Sequence, residues 1–265
     1  MKIISSLKIT SLSVLGGALL LSVASGCGSD KTKQEKTQTV EFESYAFSRI
    51  AEDTSDEIVE LPGAKYALVA GQGVLPVRIG DTDISALRDT LQRLGLVTFP
   101  SSGNPSPVLT DNWKLTDMPD TVKAGNSRYD YLWISFQTPD VIVWRDYTEE
   151  YNAGAAHGIH SVQLLNYSLI SHKILSLDDI FKPGYQTRLL ELIREKLKDN
   201  PLVEAEPYEI NIPRQWCFTP QGIAFLYQEY EIAPYSAGRI QVDFYAMELD
   251  DLLSDEALKL TLSSL

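Results

Sequence analysis

The chain has 265 residues, and its 36 acidic side chains outnumber 23 basic ones, for a formal net charge of −13. Such a chain repels nucleic acid, and it repels anionic glycans and membrane surfaces unless a local patch reverses the sign. Attraction to a basic protein stays electrostatically open.

The N-terminus carries Lys2 and Lys8, an apolar stretch from Ile9 to Val23, and then Ala24-Ser25-Gly26 directly before Cys27. This is the layout of an export signal, expected over residues 1–26. Ser11, Ser13 and two glycines dilute the apolar run and no basic stop-transfer flank follows, so a permanent membrane helix is not expected. Small residues before a cysteine resemble the lipobox of bacterial lipoproteins, which implies that Cys27 is lipidated. The other reading is a plain secretory signal with an incidental cysteine. Removing residues 1–26 takes away two lysines and no acid, moving the net charge from −13 to −15. With Cys27 acylated, Cys217 has no partner, and the core stands without a disulfide. Cys217 itself lies in the apolar "WCF" and reads as a strand residue, not a reactive thiol.

Residues 27–39 contain the polar run "GSDKTKQEKTQT", which buries nothing and reads as a flexible tether. "VEFESYAFSR" alternates at strand period. "YALVAGQGVLPVRIG" holds Gly71, Gly73 and Pro76 and is expected to be an edge strand or a bulged pair. "DTDISALRDTLQRLGL" places Ile84, Leu87, Leu91 and Leu94 on one helical stripe, with Asp81 to Asp83 as caps and Gly95 as the stop. The segment from Thr98 to Asn126, with four prolines, reads as a long loop. Two strands follow, Arg128 to Gln137 and Val141 to Tyr151, joined by the turn "TPD". The first of them has aromatic or apolar residues on both faces, which suggests cover on both sides.

"HSVQLLNYSL" continues as a strand with a turn at Ser171-His172-Lys173, and Ser176 is placed to cap a short helix. "YQTRLLELIREKLKDN" is an amphipathic helix with Leu189, Ile193 and Leu197 in register. "WCFTPQGIAFLYQEYEI" is a hairpin turning at Pro220 and Gly222. "GRIQVDFYAMELDDLLSDEALKL" is a strand and then a helix. The whole reads as α+β, antiparallel hairpins with two or three amphipathic helices packed on them and no βαβ units.

Three constellations could carry chemistry. His157 and His160 in "YNAGAAHGIH" are three apart, whereas the zincin pattern sets its pair four apart on a helix with a glutamate between them. In an extended strand, positions i and i+3 face opposite sides. The pair therefore makes poor co-ligands. His157 is left as a turn or ligand-contact residue between Gly154 and Gly158, and His160 as an ordinary strand residue.

A Ser-His-Asp hydrolase lacks the G-x-S-x-G elbow. Glu149, Glu150, Asp178 and Asp179 could form a carboxylate pair only if the fold brought two of them together, and as isolated charges they are solvated surface. Gly71-Gln-Gly73 belongs to no complete dinucleotide fingerprint, so no cofactor and no metal is expected. The third constellation, "YQEYEIAPYSAGR" from Tyr227 to Arg239, sets three tyrosines beside Glu229, Glu231 and Arg239. That is interface chemistry: rigid aromatic anchors with orienting charges. The plainer reading is a strand and crossover loop packed on a helix.

Gly154-Ala155-Ala156-His157-Gly158, Leu177-Asp178-Asp179-Ile180-Phe181 and Tyr230-Glu231-Ile232-Ala233-Pro234-Tyr235 followed by Gly238 occur in that order. Across residues 144–253 they resemble the extracellular C-terminal domain of RsiV-type anti-sigma factors, a domain common in bacterial envelope lipoproteins. Residues 40–137 match, by position more than by motif, the domain that precedes it in such proteins and in some peptidoglycan deacetylases. The resemblance implies a small α+β domain and, in the best understood members, recognition of lysozyme, a basic protein. No sigma-binding segment, retained membrane helix or deacetylase domain accompanies it, so neither signalling nor deacetylation is carried over.

The resulting expectation is a signal peptide (1–26), a lipidated Cys27 with its tether (27–39), an N-terminal α+β part (40–137) and an RsiV-like α+β part (138–265). The protein is expected to sit in the cell envelope. Gly28 in place of aspartate after Cys27 points to the outer membrane. Its folded part is expected to bind a protein or cell-wall ligand without catalysis, through His157, Tyr230, Glu231, Tyr235 and Arg239. The alternative is a cell-wall or polysaccharide hydrolase using His157 and nearby carboxylates.

Overall fold

Period-two alternation at the start of the folded part becomes a long antiparallel pair, β1 (Val40–Asp53) against β2 (Tyr66–Ile79), in register from Val40↔Ile79 to Glu52↔Tyr66. The computed structural model describes residues 39–53, 65–95, 97–98, 108–109, 113–115, 125–203 and 208–262. The expected signal segment, Cys27 and the tether up to residue 38 lie outside the described residues. Among the described residues no helix is long and apolar enough to cross a membrane.

Helix α1 (Ser85–Leu94) follows β2 and buries Leu87 and Leu91. Ile84, not one of the expected aspartates, is the N-cap residue, and Asp83 just ahead of it accepts the Ser85 amide at 2.9 Å. Short strands β3 (Val97–Thr98) and β4 (Val108–Leu109) pair with each other, and β5 (Trp113–Leu115) adds to the end of β1. They occupy part of the segment expected to be loop, and the rest of that segment lies outside the described residues.

Strands β6 (Asn126–Gln137), β7 (Val141–Tyr151), β8 (Ile159–Ser168) and β9 (Lys173–Ile174) complete a seven-stranded sheet in the order β5-β1-β2-β6-β7-β8-β9. β2 pairs with β6 in parallel, from Ala67↔Asn126 to Gly73↔Leu132, while the other neighbouring strands of this sheet pair antiparallel. Two expectations are corrected here. β2 is an interior strand and not an edge, although its pairing with β1 is bulged as the other reading had it, and the connection through α1 is a crossover between parallel strands. The glycines and proline that argued otherwise have local reasons. Pro76 lies beyond the stretch paired with β6, at a one-residue slip against β1 where Phe42 faces Pro76 and Glu41 faces Arg78. A proline there removes no ladder bond that the sheet needs.

The expected boundary at residues 137 and 138 falls in the β6–β7 turn, and the large sheet runs across it. One face of that sheet packs on α1 through Leu75, Ile79, Leu91, Leu132, Ile142 and Trp144, with Phe42 edge-on to Trp144 at 6.4 Å. The second core joins Val141 and Val143 to a three-stranded sheet of β10 (Gln215–Thr219), β11 (Gly222–Tyr227) and β12 (Ile240–Tyr245). Helices α2 (Leu177–Ile180), α3 (Gln186–Leu197) and α4 (Asp255–Leu262) contribute Ile180, Leu189, Ile193, Leu197, Ala257 and Leu260 to it. A bulge between Ile134 and Phe136 lets β6 serve both cores: Ile134 packs on the first, Phe136 on the second. Cover on both sides does not extend along the whole strand, for Trp133 stays 38% exposed.

The seam between the two sheets is closed by side-chain amides acting as backbone surrogates. Asn166, 1% exposed, donates to the Trp216 carbonyl at 2.9 Å and accepts the Phe218 amide at 3.1 Å. Gln228 accepts the Val162 amide at 3.1 Å and donates to its carbonyl at 2.7 Å, and Gln215 accepts the Leu164 amide at 2.7 Å. β9 pairs only with Tyr167 and Ser168, so these amides occupy backbone groups along the rest of that β8 edge.

Between the buried Trp216 and Phe218, Cys217 points to the opposite face of β10. Burial pushes its thiol up to about 11, with Arg145 pulling the other way. Iodoacetamide at pH 8 is therefore expected to leave Cys217 unmodified in the folded protein and to alkylate it fully in denaturant, as read by intact mass. Full labelling of the native protein would contradict this placement.

Candidate functional site

Residue His157 sits in a bend just ahead of β8, and His160 is the second residue of that strand. Gly154 takes a left-handed φ of 84° in the preceding turn, which glycine adopts without penalty. Gly158 has a different reason to be small. A Cβ there would lie 3.0 Å from the Glu150 carbonyl oxygen. The bend breaks strand alternation between the two histidines, so they reach one cluster after all. The reading of His160 as an ordinary strand residue is corrected.

The ring of Tyr235 joins them. It stacks on His157 with centroids 4.0 Å apart and lies 6.2 Å from His160, nearly parallel to both. Its hydroxyl donates to the Gly158 carbonyl at 3.1 Å and lies 3.3 Å from His160 Nδ1. Beyond His160 the rings continue to Tyr147 at 6.0 Å and from there to Tyr131 at 6.1 Å. Desolvation, then the charge of Glu149, raises the Tyr147 phenol; desolvation, then Glu229, raises that of Tyr235. Both hydroxyls are thus protonated donors at neutral pH.

Tyr230 closes the other side of His157. Its hydroxyl lies 3.3 Å from His157 Nε2 while the ring is 53% exposed. Its backbone has φ of 67°, a left-handed conformation that costs a tyrosine about 1 to 3 kcal/mol. The turn that holds it is closed by Glu231, which accepts the Gln228 amide at 2.8 Å. Glu231 therefore shapes the loop, and the carboxylate inside the cluster is Glu229, which reaches His160 Nδ1 at 3.2 Å and Arg239 at 3.7 Å. The sequence reading named Glu231 as the ligand contact, and the structure sets Glu229 among the rings and Glu231 in the turn beside them. Arg239 also lies over the Tyr147 ring, 5.2 Å from its centroid. Glu229 Oε2 and Arg239 Nη1 are buried without a hydrogen-bond partner, a concentration of unsatisfied polar atoms that ordinary packing avoids.

Hydrolysis by His157 has little to work with. Its Nδ1 lies 2.8 Å from the Gly158 carbonyl oxygen and its Nε2 faces the Tyr230 hydroxyl, so neither nitrogen is bonded to a carboxylate. Of the four carboxylates considered from sequence, Glu149 stands opposite His160 in the β7–β8 register, and the other three are engaged elsewhere. Asp179 accepts the Ser176 amide at 2.8 Å and pairs with Lys173 at 2.6 Å, Asp178 accepts the Tyr185 hydroxyl at 3.2 Å, and Glu150 pairs with Arg128. Among the described residues no group of three or more His, Cys, Asp or Glu side chains could hold a metal ion.

A different polar cluster, invisible from sequence, lies under the sheet. Asp130 and Asp146, each 1% exposed, project from β6 and β7 beside Tyr45. Asp130 takes Arg128 at 2.9 Å and the Thr148 hydroxyl at 2.9 Å. Asp146 has both oxygens buried without a hydrogen-bond partner. Burial and then the neighbouring Asp130 push its carboxyl up to about 8, only partly offset by Arg128 and Thr148.

Comparison with known proteins agrees with this architecture. Residues 178–245, from α2 to the end of β12, match the family model described as a protein of unknown function (DUF3298). The solved structure of a DUF3298 family member from Bacteroides fragilis NCTC 9343 is similar over 84% of this chain and 97% of its own, at 21% identity and a TM-score of 0.57. A DUF3298 family protein from Pseudomonas aeruginosa PAO1 is similar over 83% and 97%, at 15% identity and 0.54. At these identities the likeness shows a shared fold. No curated protein matches the chain. The matched segment contains Glu229, Tyr230, Tyr235 and Arg239 and begins after the bend and strand that carry His157 and His160.

Proposed function

We propose that the protein is a lipid-anchored component of the cell envelope, held through Cys27 in the outer membrane, whose folded part binds a protein partner without catalysis. The anchor rests on the export signal and lipobox-like cysteine. The binding role rests on the surface built by His157, Tyr230 and Tyr235 and on the resemblance to the RsiV-type extracellular domain. Its principal support is Tyr230, an exposed aromatic ring kept in a strained backbone conformation against His157. Strain at an exposed aromatic persists where the surrounding structure holds it for a purpose, and aromatic anchors of this kind dominate interface energetics.

Charge favours a basic protein over a cell-wall polymer. The chain carries −13 overall, and Glu149, Glu229 and Glu231 lie on or next to the site. Lysozyme is the natural first probe, with isolated peptidoglycan as comparison. Binding of lysozyme to the immobilised mature chain is expected to fall about tenfold or more in a Tyr230→Ala, His157→Ala double variant, with the melting temperature nearly unchanged. Equal binding by parent and variant, or binding to peptidoglycan alone, would sink this reading.

A further inference from the structure

On the sheet face opposite α1, β1, β2, β6 and β7 line an open cavity of about 490 Å³ that shares only Tyr147 with the aromatic series running to His160. Its lining is Ser44, Tyr45, Gln72, Gly73, Val74, Tyr131, Leu132, Trp133 and Tyr147. The volume falls within the roughly 300 to 1,000 Å³ usual for small-ligand sites. Two features of the lining limit what it can hold. No lining residue is charged, in a chain that carries −13. Three are aromatic rings on one face of adjacent strands, since Tyr131 and Trp133 alternate on β6 and Tyr147 stands opposite Tyr131 on β7. Beside them Ser44 and Gln72 are exposed, and neither side chain is hydrogen-bonded among the described residues.

We propose that this cavity binds a neutral carbohydrate. A pyranose ring offers a flat C–H face to aromatic rings, whose faces carry partial negative charge, and an equatorial rim of hydroxyls to an amide and a hydroxyl. An anionic sugar meets no cation in the lining, and Arg239, which lies over the Tyr147 ring, is already paired with Glu229 in a strongly acidic protein. A lipid chain would leave the Gln72 and Ser44 groups unpaired. An extended peptide cannot add as a strand here, because β2, β6 and β7 are paired on both sides. Tyr147 belongs both to the lining and to the aromatic series that runs to His160 and Tyr235. The carbohydrate site thus adjoins the surface assigned above to a protein, but it does not depend on that assignment.

Calorimetric titration of the mature protein with chitotetraose, cellotetraose and maltotetraose, each to about 10 mM, tests the proposal. At least one neutral tetrasaccharide is expected to bind, and tetragalacturonate more weakly than any that does. Trp133→Ala and the milder Gln72→Ala should each weaken binding about tenfold or more at unchanged melting temperature. Tyr230→Ala should leave it unaltered, so that failure of the protein-binding role and failure of this one are told apart. The proposal is overturned if no neutral tetrasaccharide binds, if tetragalacturonate binds as tightly, or if both cavity variants bind like the parent.

Discussion

Replacing Asp146 with asparagine is expected to stabilise the protein at pH 8 and to destabilise it by about 1 to 3 kcal/mol at pH 4. The carboxyl is 1% exposed, has no hydrogen-bond partner, and faces Asp130 with Arg128 on β6, Thr148 on its own strand and Tyr45 on β1. Its folded-state value of about 8 stands above the ordinary 3.8. Below pH 4 both states hold the proton and the group carries no penalty. As pH rises from 4 through 8 the unfolded chain releases the proton while the fold retains it, so stability falls across that window. At roughly 1.4 kcal/mol per pH unit the parent forfeits several kcal/mol by pH 8. An asparagine has no charge to bury, though its amide remains poorly paired at a cost of about 1 to 3 kcal/mol. The net gain at pH 8 is about 2 kcal/mol. Denaturant midpoints of parent and variant at pH 4, 6 and 8 provide the measurement, and parallel pH profiles for the two proteins would refute the argument.

Asn166→Leu is expected to cost about 3 to 5 kcal/mol, a large share of the roughly 5 to 15 kcal/mol typical of a folded protein. Leucine fills the space but leaves the Trp216 carbonyl and the Phe218 amide without the partners that hold β10 to β8. Each orphaned buried backbone group costs about 1 to 3 kcal/mol. Gln228→Ala at the more exposed end of the same seam removes two bonds to Val162 that water can replace, so its cost should be nearer 1 kcal/mol. Urea denaturation of both variants supplies the comparison. A loss below about 1 kcal/mol for Asn166→Leu would mean that the seam is held by apolar packing instead.

Elements whose periodicity reflects a single buried face were legible in the sequence. α3 is read from Leu189, Ile193 and Leu197, all buried as expected, and the β10–β11 hairpin from its Pro-Gln-Gly turn. The interior position of β2 was not legible because Gly71, Gly73 and Pro76 also mark edge strands and bulges. Their meaning depends on neighbours distant in sequence. At the functional cluster, the Tyr227 to Arg239 segment was found from its density of tyrosine and charge. The role of His160 was missed because alternation was applied across a bend, and Glu229 was passed over because spacing alone does not say which of two glutamates closes a turn. The carboxylates of Asp130 and Asp146 were beyond reach. In "RYDYLWISF" and "VIVWRDYTEEY" polar and aromatic residues stand on both faces, and only the position of α1 decides which face is dry.

Gly73 and Gly95 share one neighbour. A Cβ on Gly73 would lie 2.7 Å from the Tyr45 hydroxyl, and one on Gly95, at the end of α1, would strike the same oxygen. Gly95 has φ of −76°, so the phenol, not a left-handed helix stop, explains that glycine. Tyr45, Gly73 and Gly95 thus form one steric unit spread over three elements. Enlarging either glycine demands a smaller residue at 45, and shrinking Tyr45 alone leaves a void where two side chains were already absent. A route through sequence space that enlarges either glycine and preserves this fold must pass through a change at position 45.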